Sequence, residues 1–379
     1  MGIKRLGIYV HIPFCVSKCA YCDFFSAPAG DEVKRDYINA LCRQIESEAS
    51  KLAHEYEVDS IFFGGGTPSI LEAAQLTSVL GKIRQNFMVS DHCEITVECN
   101  PGTVDRNLLK TYRDNGVNRL SFGLQSVNDD ELKALGRIHT FRDFMVSYEN
   151  ALGCGFANIN IDIMSAIPGQ TVEGWKKTLR TAAALRPAHI SVYSLMLEEG
   201  TPLYERYKSG EDLKLPGEDE ERAIYYATGE ILELGGYEHY EISNYAGPGK
   251  KCRHNIKYWT RGEYLGFGAG ASSLIRNRRF TAVRDINRYM EAPDGCYEDV
   301  EELGANDCMS EFMFLGLRMM RGVSRDSFRL TFGRQLDNVF GDIIKKYTAT
   351  GHISDDGQRI RLTAKGIDVS NYILADFLL

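Results

Sequence analysis

Apolar runs and amphipathic stretches alternate through the first half of the chain. The apolar runs are short and rich in β-branched residues, which predicts strands that are covered on both faces. They are the apolar part of Gly7–Phe25, then Val58–Phe63, Glu94–Glu98, Arg119–Leu124, Asn158–Ile163 and His189–Leu195. Helical periodicity separates them, over Asp31–His54, Leu71–Phe87, Val104–Asn115, Asp129–Leu135, Phe141–Leu152 and Val172–Leu185. These βα units predict an α/β fold with parallel strands and right-handed crossovers, as an open sheet or a barrel.

The pattern changes after residue 198. A stretch rich in Gly, Pro and charge, residues 199–221, predicts a solvated connection. The other predicted elements are a helix over Glu220–Leu234, a strand packed on one side over Tyr237–Tyr245, a helix around Ser310–Met319, a strand over Arg359–Thr363 and a helix over Asp368–Leu378. The last two are typical of the wing and final helix of a small winged-helix-like domain. We therefore expect three parts: residues 1–200, 201–300 and 301–379.

Composition limits the class of protein, its cellular compartment and its partners. The 379 residues are 44% hydrophobic and 25% charged, as in ordinary soluble globular proteins. A net charge of −8 argues against a general nucleic-acid binder, which would present a basic face. No apolar run reaches the length of a transmembrane helix, and the start of the chain lacks the long apolar region of a signal peptide. The scattered cysteines suit a reducing cytoplasm better than a disulfide-bonded scaffold.

Three cysteines follow the first predicted strand with the spacing C-x3-C-x2-C: Cys15, Cys19 and Cys22. Thiolates this close can surround one soft metal centre. A [4Fe–4S] cluster normally takes four thiolates, so three would leave one iron open to bind a small molecule and pass it an electron. Three alternatives are a zinc site completed by His11 or an outside residue, buried structural thiols, and a redox disulfide between Cys19 and Cys22.

Glycines and polar residues follow the other predicted strands. Gly64-Gly65-Gly66-Thr67 comes directly after one strand, where glycines let a ligand approach the backbone and its N–H groups; the alternative is a tight strand-to-helix turn. Four polar side chains stand at or soon after strand ends: Glu98, Gln125, Arg137 and Asp162. Carboxylates, a guanidinium and an amide together suit a zwitterionic, hydroxylated ligand, although each alone could be an ordinary surface residue. In a barrel, this end of the strands carries the active site.

These motifs resemble the HemN/HemW branch of the radical S-adenosylmethionine (SAM) superfamily. The resemblance runs from residue 6 to the C-terminus and is carried by Tyr9–Cys15 (YVHIPFC), Gly64–Pro68 (GGGTP), Glu98, Gln125, Arg137, Asn160–Asp162 and Leu362–Gly366. It implies a partial (β/α)6 TIM-like barrel followed by a small C-terminal domain. It also implies that Cys15, Cys19 and Cys22 hold a [4Fe–4S] cluster whose fourth iron site is closed by SAM. The residues at the family's SAM positions are Tyr9, Gly65, Gly66, Thr67, Glu98, Gln125, Arg137, Asp162 and Met196.

A motif late in the chain distinguishes two kinds of relative. His254-Asn255-x-x-Tyr258-Trp259 is similar to the HNxxYW motif of HemW-type haem chaperones. The related coproporphyrinogen III dehydrogenases carry a further Cys where this chain has Phe24. They also carry an N-terminal extension, which we expect to be missing here because the first predicted strand begins within ten residues of Met1. The resemblance therefore implies a haem chaperone. Oxidative decarboxylation of coproporphyrinogen III is the alternative; a radical enzyme acting on haem itself and a catalytically silent metal-bound scaffold are further ones.

The same motif offers contacts for haem. His254 can supply an axial ligand, and Tyr258 and Trp259 can cover the macrocycle. His239 and Cys252 are weaker candidate ligands. The alternative is a loop histidine hydrogen-bonded to backbone, with the two aromatic residues in the core. A chaperone implies haem-accepting apoproteins as partners and a reductant protein such as flavodoxin or ferredoxin.

Overall fold

The computed structural model describes residues 3–379. Its strands are β1 (Lys4–Ile12), β2 (Tyr56–Gly65), β3 (Met88–Cys99), β4 (Arg119–Gln125), β5 (Ile159–Ser165), β6 (His189–Ser194), β7 (Glu238–Glu241), β8 (Asn244–Ala246), β9 (Tyr264–Phe267), β10 (Ser272–Ile275), β11 (Arg278–Ala282), β12 (Tyr297–Glu302), β13 (Val323–Ser324), β14 (Ile353–Asp355) and β15 (Arg359–Leu362). Its helices are α1 (Asp31–Leu52), α2 (Ala73–Asn86), α3 (Arg106–Asp114), α4 (Asp129–Ala134), α5 (Phe141–Gly153), α6 (Val172–Ala184), α7 (Pro202–Lys208), α8 (Glu218–Leu234), α9 (Arg253–Trp259), α10 (Ile286–Glu291), α11 (Ala305–Gly316), α12 (Arg325–Phe332), α13 (Asp337–Ala349), α14 (Ala364–Asp368) and α15 (Ser370–Ala375). None of the helices in this described part is long and apolar enough to cross a membrane.

One twelve-stranded sheet organises the barrel, in the order β12-β11-β10-β9-β1-β2-β3-β4-β5-β6-β8-β7. Strands β1 to β6 are neighbours in chain order and all parallel, which confirms the predicted βα units and the partial-barrel fold class. Strand β9 adds a seventh parallel strand beside β1, in a glycine-rich region for which no strand was predicted. All residues of β4 are buried, as expected for a central strand covered on both faces.

The parallel register brings the carboxyl ends of the strands to one edge of the sheet. Across the pairs, His11 lies opposite Gly64, and Glu98 lies opposite Ser121. Helices such as α1 cover the outer face with apolar and small side chains that recur at helical spacing. Loops follow the strands at this carboxyl edge, and the predicted site residues lie at the strand ends and in these loops.

Two sequence predictions of local structure need correction, and so does the alternative interpretation of the HNxxYW histidine as a loop residue. The predicted solvated connection contains helix α7, which begins with Pro202 after the Thr201 N-cap. The single strand predicted over Tyr237–Tyr245 is the hairpin of β7 and β8, and β8 extends the sheet antiparallel to β6. The HNxxYW motif lies in helix α9 rather than in a loop.

The C-terminal part has a core of its own, formed by α11 to α15 around the three-stranded antiparallel sheet β13-β15-β14. Two backbone hydrogen bonds attach it to the barrel: the Ile242 N–H donates to the Arg318 carbonyl (3.1 Å), and the Met320 N–H donates to the Tyr240 carbonyl (3.0 Å). The segment after α11 therefore continues the edge of the sheet beside β7. This agrees with the predicted small C-terminal α+β domain.

Candidate functional site

The three cysteines lie in the loop that joins β1 to α1, at the carboxyl edge of the sheet. Two backbone hydrogen bonds close the base of this loop: the Cys15 N–H donates to the Ala27 carbonyl (3.2 Å), and the Ala27 N–H donates to the Pro13 carbonyl (3.0 Å). The thiols of Cys15, Cys19 and Cys22 are free and half-buried. In the part of the chain that the structure describes, no three His, Cys, Asp or Glu side chains are arranged to hold a single metal ion.

Side chains from neighbouring strand ends donate hydrogen bonds to two of these thiols. Thr67 Oγ1 donates to Cys15 Sγ (3.5 Å), and Arg137 Nη1 donates to Cys19 Sγ (3.4 Å). Asn100 connects the two donors, because its Oδ1 accepts from Arg137 Nη2 (2.9 Å) and its Nδ2 donates to Thr67 Oγ1 (2.7 Å). Such donors favour the thiolate form. Sequence reasoning gave Asn100 no role, and its position directly after β3 is the signal that could have found it.

The glycines after β2 allow close packing on the cysteine loop. Gly65 has φ of +111°, and a Cβ there would lie 2.6 Å from the His11 ring. A Cβ on Gly66 would lie 2.6 Å from the carbonyl oxygen of Phe14 and 3.0 Å from Cys15 Sγ. The N–H of Gly66 donates to a β1 carbonyl (2.9 Å). The glycine turn is therefore hydrogen-bonded to the end of β1 and packed against the cysteine loop. The sequence suggested that this N–H could bind a ligand, but it is already used.

Tyr9 and His11 face the barrel interior from β1. Tyr9 O–H donates to His11 Nδ1 (3.0 Å), and His11 Nε2–H donates to the Phe25 carbonyl (2.9 Å). Burial lowers the pKa of His11, so its ring stays neutral. Because both nitrogens are occupied, His11 offers no free ligand for the zinc site considered from the sequence.

Two half-buried carboxyl groups lie near these side chains. Glu98 Oε2 accepts from the Gly65 N–H (3.2 Å), and burial together with the nearby Asp162 raises the pKa of Glu98 to about 8. Asp162 accepts from Ser121 Oγ (2.8 Å) and from Asn160 Nδ2 (2.8 Å), and burial raises its pKa as well. A cation bound beside them would favour their ionised forms, so the pair is suited to a cationic ligand.

Gln125 and Met196 are placed differently from the other predicted site residues. Gln125 ends β4 with φ of +67° and is buried; a left-handed backbone at a non-glycine residue is strained and is found often at ligand sites. Met196 follows β6 and is 67% exposed. The structure therefore brings Met196 into none of the contacts described above.

A cavity of about 630 Å³ opens beside these residues, a volume typical of ligand pockets. Its inner end is formed by Tyr9, His11, Gly65 and Glu98. Its walls are mostly aromatic and apolar, and include Phe24, Phe25, Tyr258, Trp259, Tyr264 and Leu315. Two arginines, Arg279 and Arg284, also line it. The cavity therefore combines flat apolar surfaces, two cationic groups and the carboxyl group of Glu98.

The HNxxYW helix contributes Tyr258 and Trp259 to the cavity wall, while its first turn packs behind that wall. The buried carboxylate of Glu94 accepts from the backbone N–H groups of Arg253 (3.2 Å) and His254 (3.1 Å) at the start of α9. His254 is 1% exposed; its Nδ1 is bonded to Ser60 Oγ (3.0 Å) and its Nε2 to the Tyr258 hydroxyl (2.8 Å). Burial lowers the pKa of His254 to about 3. The ring of this predicted haem ligand is thus held by two side chains and does not line the cavity.

The two weaker candidate ligands also lie outside the cavity. His239 stacks on Tyr245 with ring centres 4.3 Å apart, and its Nε2 donates to the Ile242 carbonyl (3.2 Å). Cys252 is buried and its thiol donates to a carboxylate oxygen of Glu94 (3.6 Å). Both make structural contacts around the helix and hairpin that support the site.

The C-terminal domain contributes to the cavity wall through α11. Leu315 of this helix lines the cavity. The buried Glu311 accepts from Arg261 Nε (2.8 Å) and pairs with Arg279 Nη2 (2.6 Å). This pairing joins α11 to the end of α9 and to the arginine in the wall, so the position of the domain and the shape of the cavity are connected.

Comparison with known families agrees with this architecture. The model of the radical SAM superfamily matches residues 9–182, and the model of the HemN C-terminal domain matches residues 303–369. A parallel barrel with a three-cysteine loop at the carboxyl ends of its strands is a radical SAM protein. The chain is 37% identical over 374 residues to "Heme chaperone HemW" of Bacillus subtilis (strain 168), covering 98% of each chain. It belongs to the HemW family.

Two further relatives support this assignment. The protein named "Heme chaperone HemW" in Escherichia coli (strain K12) is 34% identical over 383 residues, covering 99% of both chains. The solved structure titled "Coproporphyrinogen III oxidase (HemN) from Escherichia coli is a Radical SAM enzyme" superimposes with a TM-score of 0.87 over 99% of this chain and 90% of that chain. At 24% identity, this second likeness shows the shared fold.

Membership of the radical SAM superfamily implies a [4Fe–4S] cluster and SAM, and the residues present fit both. The three thiols are free, and two of them have hydrogen-bond donors in place. The glycine turn leaves no room for a side chain against the cysteine loop. The carboxyl pair of Glu98 and Asp162, the first of which accepts from Gly65 in this turn, matches a ligand that carries an ammonium and a sulfonium charge.

Proposed function

We propose that this protein is a cytoplasmic haem chaperone that holds haem in the aromatic cavity and passes it to haem-dependent apoproteins. The observation that carries this proposal is the composition of the cavity wall. Haem is a flat, apolar macrocycle with two carboxylate side chains, and the wall offers Tyr258, Trp259 and Tyr264 for its faces. Arg279 and Arg284 offer positive charge for its carboxylates.

The cluster and SAM are assigned to the carboxyl edge of the sheet, where Tyr9, Gly65 and Glu98 also line the cavity. Cys15, Cys19 and Cys22 would hold the cluster, which supplies one-electron chemistry when it is bound. The residues proposed to bind SAM are Tyr9, Gly65, Gly66, Thr67, Glu98, Gln125, Arg137 and Asp162. We keep Met196 as the weakest of these assignments, because it is exposed. A reductant protein such as flavodoxin or ferredoxin would supply the electron.

The function is tested by haem binding and transfer. Titration of the purified full-length protein with ferric haem, followed by Soret absorbance, is expected to saturate at one equivalent. Addition of a haem-free acceptor protein should then move the haem to the acceptor, seen as the absorbance spectrum of the loaded acceptor. Absence of saturable binding, or binding without any transfer, would contradict the proposal.

Arg284 is expected to contribute to haem affinity. Its side chain is 57% exposed and its ion pair with Asp299 is loose at 3.4 Å, so a haem carboxylate can compete for it. We expect Arg284→Ala to weaken ferric haem binding by about fivefold at low salt and by less at high salt, since an exposed ion pair contributes about 1 kcal/mol at most. Arg278→Ala is the matched control, because Arg278 has a comparable exposed pair with Glu302 (3.3 Å) outside the cavity. Equal effects of the two variants would remove Arg284 from the site.

SAM binding is expected to depend on pH through Glu98. The pKa of Glu98 is raised to about 8, so the group is largely protonated at pH 7 in the free protein. Binding of an ammonium group beside it favours the carboxylate, so SAM affinity should rise with pH and fall by about tenfold for each unit below pH 7. Isothermal titration calorimetry between pH 6 and pH 9 measures this slope. Glu98→Gln should weaken binding and remove most of the slope; an unchanged slope in that variant would assign the effect to another group.

A further inference from the structure

The histidine of the HNxxYW motif is the residue that the sequence suggests as the haem ligand. In the structure, however, neither of its ring nitrogens is free. Both ring nitrogens of His254 are in hydrogen bonds, with Ser60 Oγ at 3.0 Å and with the Tyr258 hydroxyl at 2.8 Å. The ring also stacks on Phe62, with ring centres 5.3 Å apart. For His254 to reach an iron in the cavity, it would have to break a hydrogen bond and leave this stack.

Among the cavity-lining residues, four have side chains of a type that can bind haem iron axially: Tyr9, His11, Tyr258 and Tyr264. His11 has both nitrogens occupied, and the Tyr9 hydroxyl is one of its partners. Tyr264 lies near Arg279, which is itself paired with the buried Glu311. The hydroxyls of Tyr9 and Tyr258 are both paired with a neutral histidine. They differ in direction, because the Tyr9 O–H donates to His11 Nδ1 whereas the Tyr258 oxygen can accept from His254 Nε2–H.

Burial raises the pKa of Tyr258, so its phenolate would form only when iron binds. The geometry around its hydroxyl suits that phenolate. Tyr258 lies four residues after His254 in α9, so helical spacing places the two side chains on one face. The two rings meet edge to face at 86°, with centres 5.0 Å apart. A hydrogen on His254 Nε2 can therefore point at the phenol oxygen while Ser60 O–H donates to Nδ1. A donor held in this way stabilises negative charge on the oxygen.

We infer that Tyr258, rather than His254, is the axial ligand to ferric haem iron, and that His254 positions and stabilises its phenolate through Nε2–H. The inference rests on the proposed function, because it names the ligand within the same cavity. In the binding step the Tyr258 O–H bond breaks, an O–Fe(III) bond forms, and the proton leaves to solvent. The iron keeps its oxidation state, and His254 remains neutral.

Resonance Raman and electron paramagnetic resonance spectra of the ferric haem complex test this assignment. The wild-type complex should show phenolate vibrations and a high-spin ferric signal. Tyr258→Phe should lose the phenolate vibrations and bind ferric haem at least about tenfold more weakly. Tyr264→Phe is the matched control and should keep them. His254→Ala should keep phenolate ligation but shift the vibrations, because the hydrogen-bond donor is gone.

Two results would overturn the inference: a wild-type complex without phenolate vibrations, or a Tyr258→Phe complex with an unchanged spectrum. If His254→Ala lost the axial ligand while Tyr258→Phe kept it, His254 would be the ligand instead. Circular dichroism melting curves establish that each variant is folded. If Tyr258→Phe does not fold, the wild-type spectrum still shows whether a phenolate binds the iron, and the Tyr264→Phe spectrum shows whether that phenolate belongs to Tyr264. If the wild-type protein binds no haem at all, the proposed function fails instead, which is a distinguishable outcome.

Discussion

Replacing any one of Cys15, Cys19 and Cys22 with alanine is expected to reduce bound iron and acid-labile sulfide to background after anaerobic reconstitution. A [4Fe–4S] cluster is held by cysteine thiolates, and this loop provides three of the usual four. Removing one leaves two irons without a protein ligand, so the remaining thiolates cannot retain the cluster. The unmodified protein should bind about four iron atoms and show the broad iron–sulfur absorption band.

Cys154→Ala is the matched control for this experiment. Cys154 is also a free, half-buried cysteine, but its thiol donates to the Arg106 carbonyl (3.6 Å) outside the cysteine loop. The control should keep its full iron and sulfide content. If a loop variant kept them too, the cluster would have to be held elsewhere, and stoichiometric zinc in place of iron would contradict the cluster altogether.

Gly65→Ala is expected to have the second largest effect, on SAM binding. The substitution places an alanine at φ +111° with its Cβ 2.6 Å from the His11 ring, so either the glycine turn or His11 must move. Both line the inner end of the cavity, and the Gly65 N–H also donates to Glu98. We expect about a tenfold loss of SAM affinity or more. The reason is that holding an alanine in this backbone conformation costs about 1–3 kcal/mol, and the turn would shift to relieve that strain. Equilibrium dialysis of SAM with the cluster-loaded protein measures it.

Gly102→Ala separates backbone strain from crowding. Gly102 also has positive φ, +81°, but a Cβ there would meet no atom within 4 Å. This control should lose about 1 kcal/mol of unfolding free energy and keep SAM affinity. If both variants bound SAM like the unmodified protein, the Gly65 turn would not be part of the SAM site.

Local patterns were sufficient to predict the barrel. Strands such as Val58–Phe63 and Asn158–Ile163 are marked by β-branched and apolar residues, and the helices between them keep their helical period. The cysteine loop and the glycine turn were recognisable because each depends on residues that are close in sequence. Helix α7 was missed although Thr201-Pro202 is a good helix start, because the glycine and charge content around it suggested a loop.

Features that depend on distant contacts could not be predicted. His254 is held by Ser60, which is 194 residues away in sequence, so its burial and its occupied nitrogens were invisible in the motif alone. Asn100 gains its role only because the fold brings Thr67 and Arg137 to either side of it. Strand β9 is short and glycine-rich, and its pairing with β1 rather than its own sequence makes it a strand.

We propose that this radical SAM protein carries haem rather than oxidising porphyrinogens. One anaerobic assay tests it most directly: the reconstituted protein is incubated with SAM, a reductant and coproporphyrinogen III, and the porphyrin products and 5′-deoxyadenosine are measured together. We predict no protoporphyrinogen IX, while the same preparation binds one equivalent of haem. Stoichiometric or catalytic formation of protoporphyrinogen IX, matched by 5′-deoxyadenosine, would contradict the chaperone and establish the oxidase.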